Sequence, residues 1–251
     1  MKISFRMVIF LAGAVGIVVL FYLARGPLRA ATPVSNRYAD EISSRTFSDR
    51  NITDAVTAVN FDYRGFDTIG EEFILFVSVL GAIVLLHIAE ERKEKLLPDA
   101  AARWRDLAAS DATRLWILVM LPPKIAFGIY IVAHGQLSPG GGFQGGVILA
   151  SAALILYIGE QFSYFRDVLS HDALEIAEAS GAGAFVLIGM LAWLKGLPYL
   201  TNFLPLGKTH ELTSGGTIPL ISLATGVEVA AGFTLLLYAF LQETLTLRAE
   251  E

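Results

Sequence analysis

The chain has 251 residues, of which 54% are hydrophobic and 17% charged, well short of the roughly one quarter of charged residues in an ordinary soluble domain. Its formal charge of −5 comes without any basic run interleaved with aromatics, which excludes the electrostatic footprint of a nucleic-acid binder. With no cysteine there is no disulfide framework, thiolate nucleophile, Fe–S cluster or thiolate zinc site, so the composition points to a membrane protein without a redox centre or cofactor of its own.

A bilayer-crossing helix needs about 20 mostly apolar residues, and the charges part the sequence into six such stretches. Met7–Ala24 and Phe73–Ala89 are uncharged, Leu115–Ala133 contains only Lys124, and Phe143–Gly159 follows a glycine cluster. Ala179–Leu194 is uncharged and Thr217–Leu241 contains only Glu228. Lipid offers no partner to open backbone groups and no ten-residue alternating pattern recurs, so helices are expected rather than barrel strands. The expected fold is an all-α, polytopic membrane protein with about six transmembrane helices.

Lys2 and Arg6 precede the first stretch and small residues follow it at Ala24, Ala30 and Ala31, as in a secretory signal. Its apolar run exceeds the roughly 7–15 residues of such signals, so an uncleaved anchor is preferred. Lys and Arg are nearly balanced between the two sides, and the dense block Arg92–Lys95 behind an apolar helix favours cytoplasmic termini.

Between the first two stretches, Ile52, Ala55, Val56 and Val59 recur at i, i+3, i+4 and i+7, the spacing of a short helix lying on a membrane surface or a partner. Asn51-Ile52-Thr53 matches a glycosylation sequon, which matters only in a eukaryotic secretory route. Glu90–Asp111, rich in both charges and containing Pro98, reads as a solvated linker and a module boundary.

The densest local signal is Ser138-Pro139-Gly140-Gly141-Gly142-Phe143-Gln144-Gly145-Gly146. It contains G-x-G-x-x-G at Gly140, Gly142 and Gly145, but a dinucleotide loop requires a preceding strand and a βαβ unit, and apolar helices flank it here. It reads as a tight helix-to-helix turn in which Pro139 ends one helix and the glycines allow unusual backbone angles. Gly142 and Gly146, four apart, would let the next helix pack closely on a neighbour.

An ionisable group at mid-bilayer costs at least about 2.5–3.5 kcal/mol on insertion scales and usually faces a partner or water. Asp67 and Glu71 share a helix face, with Glu72 about 100° away; they can bind a hard cation or relay protons, or simply mark an acidic helix start. Lys124 stands beside Pro122 and Pro123, where a broken hydrogen-bond ladder would open a polar cavity; it can tune a carboxylate or pass a proton, or snorkel to the interface. Glu228 is isolated among apolar residues near Gly226 and Gly232, either as a neutral hydrogen-bonded carboxyl or as a sodium or proton relay. His134, at a helix end, titrates in an ion path or caps the helix. His87, His171 and His210 are dispersed without H-E-x-x-H spacing, which argues against metal catalysis.

The stretch His134-Gly135-Gln136-Leu137 through Gly145-Gly146-Val147-Ile148-Leu149-Ala150 resembles the signature of the B-type component of Mrp-type (Mnh-type) multisubunit sodium/proton antiporters. Gly216-Thr217-Ile218-Pro219, with Gly226-Val227-Glu228-Val229-Ala230-Ala231-Gly232-Phe233, resembles the last helix of that component. Phe61-Asp62-Tyr63-Arg64-Gly65-Phe66-Asp67-Thr68-Ile69-Gly70-Glu71-Glu72 resembles the module that often ends the large A-type component. The chain thus looks like a two-span A-type module, residues 1–98, joined to a four-span B-type module, residues 105–248.

This resemblance implies a non-enzymatic, multi-pass subunit of a cell (inner) membrane complex that exchanges sodium for protons and supports pH homeostasis. It implies partner subunits of the A, C, D, E, F and G types, membrane lipid around them, and Na+ and H+ as the ions. The large proton-translocating part of the A-type component is absent, so the chain is no complete antiporter. The same modules occur in membrane-bound hydrogenases and related respiratory complexes resembling the membrane arm of complex I, and a structural adaptor or ion-path subunit of such a complex is the alternative. The candidate ion-path residues are Asp67, Glu71, Glu72, Lys124, His134 and Glu228; Pro139, Gly140, Gly141, Gly142, Gly145 and Gly146 form the candidate structural turn.

Overall fold

A computed structural model describes residues 13–23, 37–93 and 110–248. Their helices are α1 (Gly13–Leu23), α2 (Arg37–Arg50), α3 (Ala55–Ala58), α4 (Gly65–Lys93), α5 (Asp111–Ala133), α6 (Gly142–Val168), α7 (His171–Leu194) and α8 (Ile218–Arg248), with one π-helical turn, Val59–Tyr63, between α3 and α4. No strand occurs among the described residues. Two compact units divide the chain, Met1–Ile42 and Ser43–Glu251; the first holds α1 and the beginning of α2, the second all later helices.

Four helices among the described residues, rather than six, carry a stretch long and apolar enough to cross a bilayer: Gly65–Leu86, Asp111–Ala133, His171–Leu194 and Ile218–Leu241. Gly13–Leu23 and Gly142–Ile158 are apolar but shorter. The expected first stretch, Met7–Ala24, and the linker Glu90–Asp111 with its basic block Arg92–Lys95 lie partly outside the described residues.

Two spans begin a full two turns before the uncharged stretches that marked them. α4 starts at Gly65 rather than near Phe73, and α7 at His171 rather than Ala179, capped by the Ser170 hydroxyl accepting from the Ala173 N–H at 3.4 Å. Helix starts are set by such caps and not by the first uncharged residue, so Glu72 and Glu178 fall inside helices. α5 is capped in the same way by Ser110, which accepts from the Thr113 N–H at 3.2 Å.

α5 runs unbroken through Pro122 and Pro123. Each proline deletes one N–H donor, but the remaining ladder and the packing of Ile117, Gly128 and Val132 hold the helix together. It ends at Ala133, well before Pro139. The His134 N–H still bonds to the Tyr130 carbonyl at 2.9 Å, and the Leu137 and Ser138 N–H groups then turn back onto the His134 carbonyl.

α8 is the central helix. It packs against α4, α6 and α7, touches α5, and has most of its span buried, whereas α4, α5 and α7 leave most of theirs uncovered. Glycines bring its neighbours in: a Cβ on Gly142 would overlap the Ser222 carbonyl oxygen, and one on Gly146 would lie 2.8 Å from Cβ of Val229. Gly145 on the same helix faces α5, where its Cβ position is taken by Val132. Within the turn, Gly141 has φ 129°, a backbone angle open to glycine and not to L side chains. Gly140 lies against Ile131 of α5, and Pro139 is exposed.

The segment expected to lie on a membrane surface or a partner is built into the protein itself. Asp54 caps α3 by accepting from the Thr57 N–H at 2.7 Å, and the π-helical turn then adds a residue to the register. The buried set is Ile52 before the cap, Thr57 and Ala58 on α3 and Phe61 in the π-helical turn, while Val56 faces outward. Ile52, Ala58 and Phe61 join Ile69, Phe185, Leu200, Ile218 and Ile221 in one apolar core. The Thr57 hydroxyl donates to the Gly135 carbonyl at 2.7 Å, and the Thr53 and Asp54 N–H groups donate to the Gln136 carbonyl. The sequon asparagine, Asn51, donates through Nδ2 to the Gly207 carbonyl at 2.9 Å.

Candidate functional site

Three buried acids meet in the interior, one each from α4, α7 and α8: Glu72, Glu178 and Glu228, exposed by 3%, 2% and 0%. On α4, Thr68, Glu72 and Val79 are buried while Asp67 and Glu71 face outward, as the 100° step between successive helical residues requires. On α7, Glu178, Gly181, Phe185, Gly189 and Ala192 are all buried, one stripe at 3- and 4-residue spacing.

The small residues in these stripes set the geometry. A Cβ on Gly232 of α8 would lie 2.8 Å from Oε1 of Glu178, so that carboxyl rests directly on α8 one turn from Glu228. Glu72 and Glu228 stand side by side, with Thr225 next to Glu72, and Glu178 is close enough to feel the charge of Glu228.

Neither carboxyl oxygen of Glu72 or Glu228, nor Oε1 of Glu178, makes a well-formed hydrogen bond among the described residues, and the buried Thr225 hydroxyl beside Glu72 is likewise unmatched. An ionised carboxylate only accepts, and uncompensated charges at this depth cost several kcal/mol each, on the order of the penalty for any buried ion. A proton shared between the acids, or a monovalent cation bridging them, satisfies the cluster. The arrangement is therefore chemically suited to hold and release such an ion.

The other candidates stand apart from this cluster. Asp67 is exposed and paired with Arg64, and Glu71 is exposed on the same outer face of α4. Lys124 is half-buried on α5, which packs on α6 and touches α8. A cavity of about 610 Å³ between α5, α6, α7 and α8 is lined by apolar side chains including Leu121, Ile125, Leu156, Leu174 and Leu223, with neither Lys124 nor any of the three acids at its wall. The polar cavity expected beside the prolines is thus an apolar one, because α5 stays helical there. His134 caps α5 and stacks on Tyr130 with ring centroids 4.6 Å apart.

Glu178 is not among the sequence candidates, because the uncharged stretch that marks its span begins only at Ala179. Its signal was present: an acid three residues before Gly181 and seven before Phe185, at the head of a small-residue stripe. His171, Asp172 and Glu175 also gather at the start of α7, their ligand atoms within 4.8 Å of one another. They are partly or fully exposed, and acids suit a helix N-terminus.

A polar clasp closes the opposite end of the bundle, where α7 ends and α8 begins. Arg50 pairs with Asp62, which also accepts from Asn202 at 3.3 Å; Asn202 in turn donates to the Gly215 carbonyl and accepts from the Thr217 N–H just before α8. Partial burial alone would lower the pKa of Arg50, but the hydrogen bond and charge of Asp62 outweigh it and hold the guanidinium above its ordinary value.

Long apolar helices that enclose buried acids define a polytopic membrane protein with ionisable groups held in its interior. A family model described as a domain related to the MnhB subunit of Na+/H+ antiporter matches residues 112–235. The B-type component of the Na+/H+ antiporter of Bacillus subtilis is 33% identical over 117 residues, covering 43% of this chain and 77% of that protein. A probable K+/H+ antiporter component of the combined A/B type, from Rhizobium meliloti, is 23% identical over 212 residues, 76% of this chain but only 20% of that much longer protein. Among solved structures, a chain of the membrane-bound sulfane sulfur reductase, an archaeal respiratory membrane complex, superposes with TM-score 0.67 at 27% identity, covering 92% of this chain and 97% of that one. A chain of the Mrp complex from Dietzia sp. DQ12-45-1b superposes with TM-score 0.68 at 20% identity, covering 95% of this chain and 26% of that one. The chain belongs to the MnhB family of Na+/H+ antiporter subunits and is a multi-pass membrane protein.

Proposed function

We propose that this chain is the membrane subunit of a multisubunit monovalent cation/proton antiporter in which Glu72, Glu178 and Glu228 hold the ion on its way through the bilayer. The observation that carries this reading is the cluster itself, three buried acids whose facing oxygens lack hydrogen-bond partners among the described residues. A purely structural role would favour apolar side chains of the same volume, since a buried charged group without a partner destabilises a fold. Proton and cation compete for the same oxygens, and that competition is the elementary requirement for exchange.

In this reading residues 1–98 act as an A-type module and residues 105–248 as a B-type module, and the cluster straddles them, with Glu72 on the first and Glu178 and Glu228 on the second. About six spans cross the membrane, because α1 and α6 serve as spans beside the four long helices, and both termini face the cytoplasm. The partners are the remaining antiporter subunits of the A, C, D, E, F and G types, and no covalent chemistry is assigned. Asp67 and Glu71 then stand at the outer edge of α4 as an approach to Glu72, while His134 and the glycine turn serve packing.

The test is sodium- and potassium-dependent proton movement in everted vesicles that contain the whole complex, with Glu72→Gln, Glu178→Gln and Glu228→Gln compared with wild type. Assembly retained and exchange lost supports the reading. Exchange at the wild-type rate in all three variants removes it.

A second reading, an ion-path or adaptor subunit of a redox-linked respiratory complex, is favoured by the near full-length match to a chain of the archaeal reductase complex. Purifying the chain with its native partners separates the two, since a redox-linked complex brings down metal-containing subunits and an antiporter does not.

A further inference from the structure

Lys124 is the one described basic residue deep inside a span, and its surroundings within the chain do not account for it. It lies 13 residues after Asp111 and nine before Ala133 on α5, about 20 Å and about 14 Å from the two helix ends at 1.5 Å per residue. Helical side chains lean toward the N-terminus, so Lys124 leans away from the nearer end and toward the bilayer middle. Snorkelling, which works for lysines near helix ends, does not bring this ammonium to the interface.

Nor do the described residues supply a counter-charge. Among the described residues Lys124 has neither an ion pair nor a side-chain hydrogen bond. One turn further along α5, Gly128 sits against Leu149 of α6, where a Cβ would come within 2.8 Å of the leucine side chain. The turn of α6 level with Lys124 is therefore Leu149-Ala150-Ser151-Ala152-Ala153, which holds no acid. Glu72, Glu178 and Glu228 are gathered where α4 and α7 meet α8, two helices that α5 does not lean on. The outer surface of α5 around this level, including Leu118, Val119 and Phe127, is more than half exposed.

We propose that Lys124 is a docking point for another membrane subunit, its ammonium pairing near mid-bilayer with an Asp or Glu on a transmembrane helix of that partner laid along α5. Lipid covers the apolar neighbours equally well but cannot neutralise an ammonium at this depth, where insertion costs at least about 2.5–3.5 kcal/mol; a helix bearing a carboxylate does both. The inference requires only that the chain is one subunit of a membrane complex, and it stands whether or not the three glutamates carry ions.

The experiment uses the wild-type complex in its own membranes, treated with a membrane-permeant carbodiimide, which joins an amine to a carboxyl only where the two are in direct contact. The expected product is a band containing this chain and one other membrane protein of the complex, missing from Lys124→Arg and Lys124→Met complexes, with the linkage mapped to Lys124 by peptide mass. Alongside it, Lys124→Met and Lys124→Glu should lower recovery of that partner on native gels at least tenfold, Lys124→Arg should keep it, and replacing the mapped acid by Lys should restore assembly with Lys124→Glu. A linkage to an acid of this chain, no Lys124-dependent linkage, or full recovery of every subunit with Lys124→Met would each overturn the proposal. Loss of ion exchange in Lys124→Met with every subunit recovered would also overturn it, and would return Lys124 to the ion path.

Discussion

Gly181 of α7 is pressed against Glu228 of α8: a Cβ on Gly181 would stand 2.6 Å from the Glu228 backbone nitrogen and 2.7 Å from its Cβ. The contact is to backbone, which cannot rotate away, so the absence of a side chain at 181 sets the separation of the two helices. Glu178 lies one turn before this contact and Gly232 one turn beyond Glu228. The spacing at Gly181 therefore fixes the distance between two of the three acids.

Gly181→Val is expected to push α7 outward and draw Glu178 off Gly232. Overpacking of this kind costs about 1–3 kcal/mol, enough to lower the melting temperature of the detergent-purified complex and to cut exchange in vesicles at least tenfold. Gly183, whose Cβ position has nothing within 4 Å, is the matched control, and Gly183→Val should change neither reading. Equal effects at the two positions would show that helix propensity and not packing is responsible.

Gly142 and Gly146 should behave in the same way for α6. Gly142→Leu meets the Ser222 carbonyl and the Gly226 nitrogen, and Gly146→Leu meets Val229, so either change separates α6 from the central helix. The expected outcome is loss of the assembled complex on native gels for both variants, with Gly142→Leu the more severe because its overlap with the Ser222 carbonyl oxygen is tighter than any contact at Gly146. Intact assembly in both would show that the glycines serve the turn alone.

The short segment before α4 also contributes to the core. Ile52→Ala removes a fully buried side chain that lies against Gly215 and should cost about 2–5 kcal/mol. Thr57→Val deletes the donor to the Gly135 carbonyl and leaves that acceptor unmet, a loss of about 1–3 kcal/mol. Thermal unfolding of the purified complex checks both, and Val56→Ala, at an exposed site, should be near neutral.

The sequence displayed the apolar helices, the glycine turn and Glu228, because long uncharged runs and an isolated charge are visible without knowing what faces what. It concealed the helix starts at Gly65 and His171, the second set by the Ser170 cap, and with the latter Glu178. It also misplaced Ile52, Ala55, Val56 and Val59 together on one outward helical face, against a membrane surface or a partner, since Ile52 precedes the Asp54 cap and the helix that starts at Ala55 turns Thr57 and Ala58 inward instead. The meeting of Glu72 with Glu228 was hidden for a different reason. The two lie 156 residues apart, and only the packing of α4 on α8 brings them together.

The three acids themselves can be told apart by what each is expected to lose. Glutamine keeps the size of glutamate and supplies an amide donor, but it neither titrates nor offers a charged oxygen to a cation. If the cluster holds an ion, Glu228→Gln assembles and loses sodium- or potassium-dependent proton movement, and Glu228→Asp keeps part of it with a weaker apparent cation affinity, because the shorter side chain opens the site. Glu72→Gln should match Glu228→Gln, and the double replacement should be no worse than either single one, as expected when two groups act on one ion. Glu178→Gln should be milder, since its carboxyl reaches the pair from Gly232 across a turn of α8. If the acids merely fill space, each glutamine is silent in transport and the double variant is at least as stable as wild type. Exchange rates against cation concentration in everted vesicles, read beside native-gel assembly, distinguish the two patterns, and additive losses for Glu72 and Glu228 would show that they do not share an ion.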